Sequence, residues 1–148
     1  MRDGAVIAYR QTNAGVKPYF RGSLLRWLSA NYEAQYGFSS LSTDREHTSH
    51  HTLRQNLFVT FFPSDNLHFT AGMEHYLTRF PYGNHANLIL LDASAVWKAS
   101  NKARISLTAC NLLDKRRYEY VEYGTLSRSE HRFSIRARSI VAVIQYRF

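Results

Sequence analysis

The residues best suited to chemistry in this 148-residue sequence are three closely spaced histidines, His47, His50 and His51. Asp44 and Glu46 precede them, so imidazole and carboxylate ligands for zinc or copper occur in one short segment. A metal site also needs a scaffold that brings its ligands to one point, and spacing within a polar segment does not supply one. We therefore predict no metal site and keep the three histidines as its only candidates.

Four charged residues stand on the polar side of segments whose polarity alternates: Glu33, Glu74, Asp92 and Arg104. If these segments surround a water-filled interior, the four side chains point into it and could contact a small-molecule or glycan ligand. A water-filled interior also contains such residues without any ligand, and the sequence does not separate the two roles.

A basic run at Lys115–Arg117 is followed by Tyr118, Tyr120 and Tyr123. Cations interleaved with aromatic rings are typical of nucleic-acid interfaces, where bases stack on the rings. The same residues suit the phosphates of a lipid surface, or plain exposure in a long polar connection. We expect no nucleic-acid partner.

Motifs of known catalytic chemistry are not recognised in the sequence. It contains no glycine-rich phosphate loop, no nucleophile elbow and no recognisable catalytic-triad order of Ser, His and Asp. The lone cysteine, Cys110, excludes an internal disulfide and a multi-thiolate zinc site. The chain is therefore expected to be neither an enzyme nor a cofactor carrier.

Composition narrows the class of protein. Hydrophobic residues make up 45% and aromatic residues 14% of the chain, which argues against disorder. The mean hydropathy is −0.38 and no apolar run approaches 18 residues, so helical membrane spans are excluded. Transmembrane β-strands stay open, because alternation hides them from an averaged hydropathy. The net charge of +8 suits an anionic membrane surface or an Arg-rich solvated one.

The periodicity is that of β-strands. Between positions 28 and 38 every even residue is apolar and every odd residue is polar or glycine, a period of two that no helix shows. The same pattern predicts strands at 24–38, 53–62, 66–78, 87–98, 102–112 and 133–148, with two more near 4–11 and 16–21.

Short and long connections alternate along these strands. Tight turns are expected at Pro63–Asn66 and Ala99–Asn101, and long polar connections at 39–52, 78–86 and 114–132. Aromatic residues cluster toward both strand ends, as in the girdles of membrane barrels. They are Trp27, Phe61, Phe62, Trp97, Tyr146 and Phe148 at the short-turn end, and Tyr36, Phe38 and Tyr76 at the other.

These features predict an all-β fold, an antiparallel up-and-down meander of about six to eight strands in one segment, residues 1–148. We expect an outer-membrane β-barrel, or the C-terminal part of a larger one, in the bacterial outer membrane. A soluble lipocalin-like barrel is the alternative, and it would turn Leu28, Tyr32, Tyr36, Leu67 and Phe69 inward.

The last residues resemble the assembly signal of outer-membrane barrel proteins. Ile144, Tyr146 and the terminal Phe148 share one strand face. In that family the barrel-assembly machinery reads such a strand, and pairing with an edge of the machinery's own sheet is a mechanism that would allow this. Arg136 and Arg138 fall on the same even positions, so we expect Arg136 above the apolar band and Arg138 at its margin or at a bulge.

The segment from Arg104 to Lys115, with its Asn111-Leu-Leu-Asp114 sequence, together with the ending Tyr-Arg-Phe148, resembles the last hairpin of TonB-dependent receptors. A looser similarity to their C-terminal barrel extends back to about Leu24. The resemblance implies uptake of an iron chelate, a vitamin or a glycan, with lipopolysaccharide, outer-membrane lipids and the assembly machinery as partners. TonB would act through an N-terminal region. That family's signal peptide, TonB-contacting box and plug domain are not recognised in these residues, so an autonomous small barrel with a structural or adhesive role is the other membrane hypothesis.

Overall fold

The computed structural model describes residues 9–43, 47–81, 85–123 and 128–148. These residues form ten strands: β1 (Tyr9–Val16), β2 (Tyr19–Leu25), β3 (Leu28–Thr43), β4 (His47–Ser64), β5 (Leu67–Arg79), β6 (His85–Lys98), β7 (Ala103–Cys110), β8 (Arg117–Tyr123), β9 (Arg128–Ser134) and β10 (Ser139–Tyr146). In this part of the chain no helix is long and apolar enough to cross a bilayer.

The main sheet has eight strands in the order β1-β3-β4-β5-β6-β7-β10, with β2 also paired to β3. Every neighbouring pair is antiparallel, so the antiparallel meander is confirmed. The described strands do not close into a barrel, because β1 and β10 lie at opposite edges. Closure within the chain would pair 4–11 with 133–148; residues 4–8 lie outside the described part, and Tyr9–Gln11 pair with Leu41–Thr43 instead.

β1 and β2 are two halves of one edge strand. Val16 pairs with Tyr36 and Tyr19 with Glu33, so the register against β3 continues across residues 17 and 18. Pairing lapses there because Pro18 has no N–H to donate, although its carbonyl still accepts from Ala34 N at 3.0 Å. Proline is tolerated in a sheet at an edge such as this. The strand predicted near 4–11 therefore ends too early, and the one predicted near 16–21 has the wrong boundaries. The strand predicted at 24–38 begins too early, because Arg26 and Trp27 form the turn between β2 and β3.

The long polar connection predicted at 39–52 is wrong. β3 continues to Thr43 and β4 begins at His47, with their residues paired as far as Ser42 and His47. Serine, threonine and histidine in this segment are compatible with a strand, and no proline or glycine follows Gly37 to end it. The three histidines therefore lie in β4 and not in a loop.

The segment after β7 differs most from prediction. Residues 114–132 were expected to be irregular and 133–148 to form one strand. Instead β8 and β9 form a separate two-stranded hairpin, and the chain leaves strand geometry at 135–138 before β10. The backbone at 135–138 is held by side chains, because Arg136 O accepts from Asn111 Nδ2 and Arg138 N donates to Asp114 Oδ1. Both arginines thus leave the strand.

Alternation gives the main sheet two unlike faces. The apolar face carries the side chains on the same side as Leu28 and Tyr32, and the polar face carries those on the same side as Ser29 and Asn31. Of the described hydrophobic residues only Ala34 and Ala86 are buried, and no large side chain is fully enclosed. The main sheet is thus a single layer without a conventional hydrophobic core among the described residues.

Candidate functional site

The apolar face extends across β3, β4, β5, β6, β7 and β10, in that spatial order. Direct cross-strand pairing aligns one row across six strands. Its members are all hydrophobic: Leu28, Phe61, Phe69, Ala95, Leu107 and Ala142. The row beside it is equally apolar, and it consists of Ala30, Val59, Ala71, Ala93, Ala109 and Ile140. Such rows normally pack on a second layer, but Phe69 is 43% and Ile140 70% exposed here.

Aromatic and polar residues mark the two limits of this face. At the short-turn end Trp27 packs edge-on against Phe61, with ring centroids 5.6 Å apart, and Trp97 is half exposed. At the far end the Tyr36 hydroxyl lies 2.6 Å from His51 Nδ1. Along β5 the apolar side runs from Leu67 to Leu77 with only His75 as a polar exception. This is about 34 Å of strand, or roughly 26 Å of height at the tilt of barrel strands.

Two polar residues interrupt the apolar face, Gln55 and His75, which pair directly across β4 and β5. They stand near the far end, and His75 Nε2 lies 3.0 Å from Asn87 Oδ1. The His75 side chain therefore has a hydrogen-bond partner, and the two polar residues lie next to the polar limit of the face.

The polar face brings Glu33 and Glu74 into one cross-strand row, on either side of Asn56. Glu33 forms an ion pair with Lys17 at 3.0 Å, and Glu74 accepts a 2.7 Å hydrogen bond from the Tyr76 hydroxyl. Asn56 Oδ1 is shielded from solvent and has no hydrogen-bond partner. The two candidate ligand carboxylates thus lie in one row but two strands apart, about 10 Å, and each is already engaged with one side chain.

Asp92 is on the same face, but its Oδ1 accepts a 2.7 Å hydrogen bond from the backbone N–H of Asn111. Asn111 is 6% exposed and has φ of 52°. Its Nδ2 donates to the carbonyls of Lys115 and Arg136, and its Oδ1 accepts from Lys115 N. The Asn111–Asp114 turn therefore ties β6 and β7 to the approach to β10, with Asp92 as its anchor.

Asp114 completes that turn electrostatically. The backbone N–H of Arg138 donates to its Oδ1, and the Arg116 guanidinium contacts its Oδ2 at 3.0 Å. These two contacts, the backbone hydrogen bond first, hold the pKa of the Asp114 carboxyl below its ordinary value. Arg116, from the basic run of the sequence, is therefore engaged within the turn.

Arg104 lies far from the carboxylates, at the short-turn end of the polar face. It stands directly between Lys98 of β6 and Gln145 of β10. The structure thus brings Glu33 and Glu74 together, uses Asp92 in a turn and separates Arg104 from all three.

The three histidines do not converge. His47 and His51 share the apolar side of β4, four residues apart, while His50 points to the polar side. Among the described residues no group of three or more His, Cys, Asp or Glu side chains could hold a metal ion. Asp44 and Glu46 lie outside the described residues.

An aromatic cluster on the β8–β9 hairpin was not predicted. Tyr120 stacks on Phe80 at 5.2 Å and on His131 at 4.7 Å between ring centroids. Tyr118 lies opposite Phe133 in the hairpin, and burial raises the pKa of its hydroxyl. The sequence did contain a signal for this cluster, because Tyr118 and Tyr120, and likewise His131 and Phe133, are two residues apart and so share one face of a strand.

The predicted assembly signal lies at the open edge of the sheet. β10 pairs on one side with β7, and Ile144 and Tyr146 are 76% and 60% exposed. Phe148 follows the strand and is fully exposed, and its ring contacts the Tyr146 ring edge-on with centroids 5.2 Å apart.

No family model, curated protein or solved structure matches this chain.

Proposed function

We propose that this chain forms part of the wall of a bacterial outer-membrane β-barrel, and that the barrel is a TonB-dependent receptor. The observation that carries the membrane assignment is the apolar face, which spans six strands and over which the described residues form no second layer. Burying one large apolar side chain is worth about 1.5–3 kcal/mol, so leaving so many in water would be costly. Lipid is the occupant that relieves this cost.

The dimensions of the face support this occupant. Its height of roughly 26 Å agrees with the apolar band of outer-membrane barrels, about 25 Å. Trp27 and Trp97 mark one limit, and the row of His51, Arg79 and His85 crosses the sheet beyond the other. Cationic and imidazole groups at this height suit the phosphates of lipopolysaccharide.

The open edges favour a larger barrel over an autonomous small one. Backbone N–H and C=O groups cannot remain unpaired in lipid, and the β1/β2 edge and β10 do not pair with each other. In our proposal further strands of the same barrel cover both edges. A lipocalin-like barrel has less support, because Tyr36 and Phe69 are 41% and 43% exposed on an open face.

The receptor assignment rests on the resemblance of residues 104–148, and on a polar face with a projecting aromatic hairpin. Glu33 and Glu74 on that face, together with the Tyr120 cluster, would contact the incoming nutrient, an iron chelate, vitamin or glycan. TonB would supply the driving force through a region outside this sheet, and the assembly machinery would read Ile144, Tyr146 and Phe148.

Fluorescence quenching by brominated lipid tests the membrane assignment. Leu90 and Leu91 are adjacent in β6 but lie on opposite faces, opposite Glu74 and Met73. In a chain whose two native tryptophans are replaced by phenylalanine, we expect Leu91→Trp to be quenched strongly and Leu90→Trp weakly in vesicles. Equal quenching, or none in either variant, would reject the lipid-facing assignment.

Deletion of Phe148 tests the assembly signal, with Arg147→Ala as the neighbouring control. We expect the deletion to lower the amount of protein in the outer-membrane fraction several-fold and the control to leave it unchanged.

The receptor assignment is tested by sequencing the gene upstream of the Met1 codon. A continuous frame encoding more alternating strands and a plug supports it, and a stop codon directly before Met1 would overturn it.

A further inference from the structure

A cleft of about 530 Å³ opens at the short-turn end of the main sheet, away from the aromatic hairpin. Its lining comes from the β6–β7 turn and the adjoining ends of β6, β7 and β10, with Asn66 from the β4–β5 turn. The volume is within the range of small-molecule sites, about 300–1,000 Å³.

The charged groups in this lining are all cations: Lys98, Lys102, Arg104 and Arg147. Asp65 adjoins Asn66 in sequence but is not part of the lining. None of the four cations has an ion-pair partner within the described part of the chain. No ion pair with another described residue therefore neutralises their charge.

Two of the cations are paired unfavourably. Lys98 stands directly opposite Arg104 in the β6–β7 ladder, and like charges in that position destabilise a sheet. The β6–β7 ladder keeps these two residues opposite each other. Two backbone hydrogen bonds join other parts of the cleft lining, since Lys98 N donates to Asn66 O and Arg147 N donates to Lys102 O, both at 2.8 Å. A bound anion would convert this repulsion into attraction.

We propose that this cleft binds a phosphate-bearing anion with more than one negative charge. Arginine presents a planar fork of donors that matches phosphate oxygens, and lysine adds point charges. The side-chain amides of Asn66, Asn101 and Gln145 line the same cleft and add neutral donors. Lys98, Arg104 and Gln145 project from the polar face, so the site does not depend on the lipid contact proposed for the opposite face.

Calorimetric titration of the full chain in zwitterionic micelles tests the site, with sodium pyrophosphate as the probe at constant ionic strength. We expect saturable binding of one anion per chain. Lys98→Gln combined with Arg104→Gln should weaken it about tenfold or more. The matched control, Lys17→Gln combined with Arg21→Gln, removes two charges at the opposite edge and should leave binding unchanged.

A second experiment distinguishes a soluble phosphate ligand from a lipid headgroup. The wild type and both double variants are titrated with pyrophosphate in lipid nanodiscs with and without cardiolipin, an anionic lipid whose headgroup carries two phosphates. Binding of free pyrophosphate supports a soluble ligand, whereas binding to the anionic lipid alone supports the same site with a lipid headgroup as its ligand. Absence of both, or equal weakening in the two double variants, would overturn the proposal.

Discussion

The two faces of the main sheet are built by the same strands, yet their side chains are stabilised in different ways. On the polar face, side chains find partners within the chain, as Glu74 does with Tyr76 and Asp92 with the backbone of Asn111. On the apolar face, the side chains form aligned rows and remain exposed. The polar side of this sheet thus supplies partners for several of its own groups, whereas the apolar side depends on its surroundings.

The difference also separates what each face can tolerate. The polar face has local packing that a larger side chain would disturb, whereas the apolar face has room but excludes charge if it meets lipid. Adjacent residues of one strand therefore provide matched pairs of substitutions, because they share depth and neighbours in sequence and differ in face alone.

The largest effect is expected at Ala93, in the middle of the apolar face between Ala71 and Ala109. Ala93→Arg should lower the free energy of unfolding in phospholipid vesicles by about 2–4 kcal/mol, the cost of arginine at mid-bilayer. Ser94→Arg, one residue along on the polar face, should cost about 0.5 kcal/mol. Denaturant titration measures both, and similar values would remove the distinction between the faces.

Asn111→Ala should cost about 2–3 kcal/mol, because it removes three side-chain hydrogen bonds and places alanine at φ of 52°. Denaturant titration measures this loss, and Asn101→Ala in an exposed turn serves as the control. A cost near zero at Asn111 would show that the polar face does not depend on this turn.

Substituting valine for Gly72 or for Ala71 should give a smaller difference in stability, and here the polar face is expected to be the more sensitive of the two. A Cβ on Gly72 would meet the Phe58 ring at 2.9 Å, so Gly72→Val should destabilise the fold by about 1–2 kcal/mol through overpacking. Ala71→Val faces the open apolar side and should change stability by less than about 0.5 kcal/mol. The same denaturant titration compares them, and an equal cost would argue that both faces are packed alike.

The smallest effect concerns pH. Because the pKa of Asp114 is lowered in the folded chain, the folded state binds its proton less readily than the unfolded state does. The carboxylate therefore contributes stability above its ordinary pKa, and that contribution is lost as pH falls through the lowered value. Unfolding measured from about pH 6 down to pH 2 should depend less on pH in Asp114→Asn than in the wild type. Identical profiles would contradict a stabilising role for the Asp114 carboxylate.

Much of the architecture could be predicted from alternation alone. The strands predicted at 24–38, 53–62 and 87–98 were recognised because apolar residues recur at every second position, with Arg26, Gln55 and Asn87 as exceptions, and their observed pairing preserves those sides. The ends of the strands were less predictable. Residues 39–52 read as a polar loop, because polarity on both sides removes the signal while leaving the strand intact.

The sequence by itself determined that the chain forms antiparallel strands with one apolar side, since period-two alternation has no other regular solution. Only the tertiary structure decided which polar groups meet. Asp92 and Asn111 are 19 residues apart in sequence and become hydrogen-bonded neighbours, while Lys98 and Arg104 are brought face to face. Those contacts depend on cross-strand register, which the turns and the alignment of the apolar sides set together, so the polar pairs follow only when the strands have paired.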